Sequence, residues 1–261
     1  MKQYSGLWLL LVVSLGLFTF YSFFDGNLFG WELKKSSIAE DLTALPSITT
    51  SINDSKIACA DSVSAPKPIK AELDTASKTI LFVGDSMLEG LGPRMASYAK
   101  KNGHKLYNVI WYSSTSEIWG SCDTLTYFIR KFKPDYILVS LGANELFVSN
   151  IKKKRAKYVQ NILKQIGNIP YVWIGPPNWK PDTGINDLLQ ETLPAGNFFL
   201  TNGMKFDRAK DGAHPTRNSA VLWMDSVATW IKTKSNHPIK IEKPEEKTAR
   251  ANSVTVLQPK R

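Results

Sequence analysis

The chain has 261 residues, 43% of them hydrophobic, with two cysteines and a formal net charge of +10 at neutral pH. That length accommodates one mid-sized domain with appendages and a full core, while two cysteines are too few for a disulfide framework or a structural zinc site. The basic balance permits an anionic partner, but neither zinc-finger spacing nor an aromatic–glycine RNA-reading signature accompanies it. No nucleic-acid partner is therefore expected, and a surface facing anionic envelope polymers or lipids explains the charge equally well.

Residues 7–24 form an apolar run of about 18 residues, just long enough to span a bilayer as a helix. No small-x-small cleavage site follows it, and Phe18, Phe20, Tyr21, Phe23 and Phe24 crowd its far end as an interfacial belt would. Residues 1–24 are therefore expected to be an uncleaved signal anchor, a single-pass transmembrane helix that leaves the following domain on the periplasmic or extracytoplasmic side. Residues 25–77, rich in Ser, Thr, Ala, Asp and Pro, are expected to be a tether. Cys59 lies in the tether and Cys122 in the domain, which leaves one disulfide or two free thiols open.

From Lys78 the pattern alternates. Strands are predicted at 80–83, 106–111, 136–141, 171–174 and 198–201, and helices at 87–101, 124–132, 151–166, 185–191 and 216–232. Gly103 supplies a stop for the first helix, and Pro215 precedes the last. Strictly alternating strands and helices predict an α/β fold, a three-layer α/β/α sandwich around a five-stranded parallel sheet. The domain is expected over 78–235. Residues 236–261, polar and Lys- and Pro-rich, are expected to be a disordered basic tail. The cations of 152–157 read as the solvated face of a helix.

The first strand ends in Gly84-Asp85-Ser86, at the carboxyl edge of such a sheet, where ligands collect. A serine there is exposed beside a helix N-terminus and can act as a nucleophile; alternatively Asp85 or Ser86 only caps the helix. Serine catalysis needs a base, a group to orient that base, and donors for an oxyanion. Of three histidines, His237 falls in the tail and His104 at the opposite sheet edge. His214 falls in Asp211-Gly212-Ala213-His214-Pro215, on the same edge as Ser86, and Asp211 can reach its imidazole within one tight turn. Asp85 is left as a turn-shaping residue. Asn144, in Gly142-Ala143-Asn144-Glu145 after the third strand, can present its amide to an oxyanion. Trp119, Asn178 and Trp179 fall in loops near the mouth, where they either stack on a sugar or simply pack.

Three blocks in this order, Gly84-Asp85-Ser86, Gly142-Ala143-Asn144-Glu145 and Asp211-x-x-His214, resemble those of the SGNH (GDSL-type) hydrolase superfamily. The stretch from Gly84 to Pro93 is closest to a bacterial envelope-associated subgroup. The resemblance covers about residues 78–235 and implies a flavodoxin-like fold and a serine ester hydrolase without metal or organic cofactor. In that reading Ser86, His214 and Asp211 form the triad, and the oxyanion is held by Ser86 N–H, the Asn144 amide and Ser116 N–H. Ser116 stands where the family commonly has glycine, and Glu145 where it commonly has aspartate. The implied substrate is an acylated carbohydrate or other ester. Alternatives are an O-acyltransferase with the same triad, or a non-catalytic module that binds a glycan or a partner in envelope assembly.

Overall fold

Ile80 and Phe82 face one side of the first strand and Leu81 and Val83 the other, and all four are buried. A strand apolar on both faces requires cover on both, which accounts for the helices on either side of the sheet. The computed structural model describes residues 72–259, and before them residues 10 and 12–14, which are helical, and the strands Gly26–Leu28 and Trp31–Leu33, paired antiparallel. The chain divides into two units, Met1–Ser64 and Ala65–Arg261. Most of the expected anchor and tether lies outside the described residues. Among the described residues no helix is long and apolar enough to cross a membrane.

The second unit contains strands β1 (Thr79–Gly84), β2 (Lys105–Trp111), β3 (Tyr136–Ser140), β4 (Tyr171–Ile174), β5 (Phe198–Phe199) and β6 (Ser253–Leu257). Its helices are α1 (Leu88–Asn102), α2 (Ser116–Gly120), α3 (Thr124–Phe132), α4 (Ile151–Ile166), α5 (Ile185–Thr192) and α6 (Arg217–Lys234). All sheet pairings are parallel, in the order β5-β4-β3-β1-β2-β6. The chain therefore leaves β1 toward β2 on one side and later returns to β3 on the other. That makes the carboxyl end of β1 the topological switch point, where an open α/β sheet forms its crevice.

One face of the sheet packs on α1 and α6 through Leu88, Leu91, Met95, Trp223, Val227 and Ile231. The other packs on α2 to α5 through Trp119, Phe128, Val159, Ile162 and Leu189. Gly103 caps α1 with a left-handed φ of 74°, as the sequence predicts.

Two expectations need correction. The sheet has six strands rather than five, and the segment after Ser235 is ordered rather than a disordered tail. Ile239 and Ile241 are buried in the core, Asp74 pairs with the backbone on either side of Ile239, and β6 extends the sheet beside β2. The polar composition of 236–252 is satisfied by distant partners. The His104 ring bonds the Lys240 carbonyl at 2.6 Å, Asn102 bonds the backbone of Glu242 at both N and O, and Asn252 Oδ1 accepts from Leu106 N–H at 2.7 Å. Arg94, buried inside α1, donates to the carbonyls of Pro244 and Glu246 and pairs with Asp225 at 2.6 Å.

Candidate active site

A Cβ at Gly84 would collide with the Ser140 carbonyl of the neighbouring strand, so only glycine lets β1 end this close to β3. Directly afterwards Asp85 N–H donates to Ser140 O at 3.1 Å, and Asp85 Oδ1 accepts from Met87 N–H at 3.0 Å. Asp85 thus shapes the turn, as expected, and Ser86 is left half-buried at the mouth. Burial pushes the Asp85 carboxyl up to about 7; the Met87 N–H opposes the rise and the nearby Glu145 carboxyl adds to it. The N–H groups of Gly142 and Ala143 face this carboxyl without giving Oδ2 a hydrogen bond of ordinary geometry.

That shift has a stability consequence. An unfolded aspartate titrates near 3.8, so between there and about 7 the folded state holds the extra proton. Stability contributed by Asp85 is full below that window and falls as pH rises through it. Replacing Asp85 by asparagine should flatten the decline of Tm between about pH 4 and pH 7. Parallel melting curves in which the variant keeps the wild-type slope would count against this.

His214 lies between β5 and α6. Its Nδ1 meets Asp211 Oδ2 at 2.7 Å, and its Nε2 meets Ser86 Oγ at 2.8 Å. The consistent proton arrangement has Nδ1–H donating to the carboxylate and Nε2 accepting the serine hydroxyl. Asp211 Oδ1 also accepts from the backbone N–H groups of Ala213 and His214, at 2.9 and 3.0 Å. These bonds, the Ala213 N–H foremost, hold the Asp211 carboxyl down to about 2, so it is ionised at any ordinary pH. The loop itself is braced by Arg208, which donates to the carbonyls of Ala213, Pro177 and Asn178. Nothing in the sequence pattern singled out Arg208, because two of its three partners, Pro177 and Asn178, lie on a loop about 30 residues away.

The expected oxyanion donors divide. Ser86 N–H has no acceptor among the described residues, so it remains available. Asn144 follows β3 at the same sheet edge and spends one amide hydrogen on Ser114 O at 2.9 Å, leaving the second free. Ser116 does not serve. Its N–H and its hydroxyl both donate to Glu145 Oε1, at 2.5 and 2.6 Å, and Ser116 is buried. Glu145 is itself fully buried, its carboxyl raised by burial against the pull of Ser116 and Arg155. It anchors the N-terminus of α2 instead of standing idle beside Asn144.

Of the expected mouth residues, Trp119 is fully buried in the core with its indole N–H on Ser114 Oγ at 2.9 Å, which removes it from the mouth. Trp179 is half-buried, donates to Ala143 O at 3.2 Å and meets the exposed ring of Phe147 edge-on. Asn178 is half-buried and engaged by Arg208 and Asn186. His104 is structural: Nδ1 accepts from Lys78 N–H, Nε2 bonds Lys240 O, and burial lowers its pKa. His237 contributes its backbone carbonyl to the Tyr136 hydroxyl. The Cys122 thiol donates to Ile118 O, and Cys59 lies outside the described residues.

No protein-family model matches the chain, and neither does any curated sequence relative. Solved structures similar to it include the psychrotrophic esterase EstA from Pseudoalteromonas sp., at 20% identity and a TM-score of 0.43, covering 59% of this chain and 96% of that one. A family 3 carbohydrate esterase from Talaromyces cellulolyticus matches at 14% identity and a TM-score of 0.44, over 57% of this chain and 93% of that one. One from Clostridium thermocellum matches at 18% and 0.43, over 60% and 95%. In the order of its blocks, the sheet edge they share and the hydrogen-bonded chain from Ser86 through His214 to Asp211, the protein resembles the SGNH hydrolases.

Proposed function

We propose that the protein is a serine ester hydrolase acting on an O-acylated glycan of the cell envelope, held at the membrane by its N-terminal apolar run with the domain on the extracytoplasmic side. The observation that carries the chemistry is the 2.8 Å contact of Ser86 Oγ with His214 Nε2 in a ring already oriented by an ionised Asp211. His214 takes the hydroxyl proton as Ser86 Oγ attacks the ester carbonyl. The tetrahedral oxyanion is received by Ser86 N–H and the free hydrogen of the Asn144 amide. His214 then protonates the departing alcohol, leaving an acyl-Ser86. Water, deprotonated by His214, attacks the acyl carbon and releases the acid, and the proton returns to Ser86. The His214 side chain is 37% exposed, so water has access to the base that activates it. A sugar hydroxyl in its place would make the same acyl-enzyme an O-acyltransferase, and product analysis with a glycan acceptor separates the two.

Labelling with a fluorophosphonate probe tests the reading directly. Covalent modification at Ser86 together with acetate release from an acetylated polysaccharide supports it; folded protein that remains unlabelled would favour a binding module. With Ser116 committed to Glu145, the Asn144 amide carries more of the oxyanion charge. Asn144→Ala should lower kcat by about 10²–10³-fold with little change in KM. A loss confined to KM would show that Asn144 binds substrate and does not stabilise the transition state.

A further inference from the structure

Ser86 and His214 open into a cleft of about 1030 Å³ whose far wall is made by the C-terminal segment. Thr248, Ala249 and Arg250 line it, as does Arg217 at the first turn of α6. The cleft's charges are unevenly paired. Lys100 and Glu246 neutralise each other at 2.9 Å, and Glu89, which accepts from the Tyr112 hydroxyl at 3.1 Å, stands as one acid against the two remaining arginines. Among the described residues neither Arg217 nor Arg250 has an ion-pair partner.

The position of each arginine is set by the fold. Ala249 N–H donates to Pro93 O at 2.9 Å and Asn252 N–H to Leu106 O at 2.9 Å, so Arg250 sits between two pinned points of the backbone. Arg94 fixes the start of the same wall through the carbonyls of Pro244 and Glu246. Arg217 begins a helix that has no acidic residue in its first turn, an end where a cation opposes the helix dipole. Two exposed arginines, each from a different anchored segment, thus line one cleft that Ser86 also lines.

We propose that Arg217 and Arg250 bind an anionic group of the substrate, so that the preferred ester is one of an acidic sugar. Guanidinium presents parallel N–H donors that match the oxygens of a carboxylate or a phosphate. The inference rests on the reading of Ser86 as the nucleophile only for its kinetic test. The subsite itself is a binding claim.

The experiment uses the full chain and three acetylated sugars: O-acetylglucose, O-acetylglucuronic acid and O-acetylglucose 6-phosphate. The wild-type protein should show kcat/KM about 10- to 100-fold higher for an acidic sugar than for the neutral one, the size of a charge-assisted bond. Preference for the glucuronate identifies carboxylate as the ligand, and preference for the 6-phosphate identifies phosphate. In Arg217→Gln and Arg250→Gln the acidic-to-neutral ratio should fall toward one, chiefly through KM. In Lys157→Gln, on the separate basic face of α4, the ratio should hold. A wild-type ratio near one, or an equal fall in Lys157→Gln, overturns the proposal. Calorimetric titration of the Ser86→Ala protein with glucuronate and glucose 6-phosphate separates the two failures. Saturable binding weakened about tenfold or more by Arg250→Gln upholds the subsite even if no ester turns over; no binding of either acid overturns it.

Discussion

Replacement of Ser86 by alanine is expected to lower kcat for ester hydrolysis by about 10⁴–10⁶-fold while leaving the fold intact. In the proposed mechanism Ser86 Oγ is the atom that becomes bonded to the acyl group, so its loss would leave just the oxyanion donors and binding to act on water. Ser86 is half-buried, and its side chain contacts His214 and supports no core cluster, so thermal unfolding of the variant should match the wild type. His214→Ala should fall in the same range, since nucleophile and base act as one unit and their losses do not add. Asp211→Asn should cost less, because a carboxylate that is 52% exposed is partly replaced by water in orienting the imidazole. Steady-state kinetics on a short-chain aryl ester provide the check. Turnover by Ser86→Ala within tenfold of wild type would rule out the nucleophile assignment.

The second large effect is on stability. Arg94 is 2% exposed on α1, and Asp225, 13% exposed on α6, accepts from Arg94 at 2.6 Å, from the Tyr98 hydroxyl at 2.9 Å and from Lys243 at 2.9 Å. Arg94 also lies over the Tyr98 ring and holds two carbonyls of the C-terminal segment. Arg94→Met removes one partner and leaves a carboxylate and two carbonyls under-satisfied, at a cost of about 3–5 kcal/mol. For a unit of this size that lowers Tm by about 10 °C. The cleft wall should loosen with it, so KM for a cleft-filling substrate should rise before the protein unfolds. The double variant Arg94→Met with Asp225→Leu should recover part of the loss, because no unpaired charge is then buried. Denaturant unfolding of the three proteins decides it; a cost below about 1 kcal/mol for Arg94→Met would show the pair to be merely a surface-grade interaction.

The Ser86 effect is predictable because of where the chain order meets the sheet order. β1 is central, and its end is crowded by Ser140 on β3, so only glycine fits at 84, and the buried Asp85 turns the chain to present Ser86. The His214 loop is short, and its carboxylate, backbone donors and imidazole lie within four residues. Local chemistry of that kind survives into the fold unchanged.

The sequence by itself therefore determined the strand–helix alternation, the parallel sheet, the edge on which Ser86, Asn144 and His214 meet, and the pairing of Asp211 with His214. All of these follow from hydrophobic period or from spacings of a few residues. The tertiary structure alone decided the rest. Ser116 N–H, expected at the oxyanion, donates to Glu145 29 residues away, and Trp119, expected at the mouth, lies in the core. The segment after Ser235 reads as a polar tail because its apolar residues are sparse and its own residues offer its backbone few partners. Those partners are Asn102, His104, Arg94 and Leu106, up to about 150 residues distant, and only folding brings them to it. Val254-Thr255-Val256 was a short β-branched signal within that tail, too brief to outweigh the composition around it. Once docked, the segment supplies the sixth strand and a wall of the cleft that Ser86 and His214 also line, where Arg250 has no ion-pair partner among the described residues.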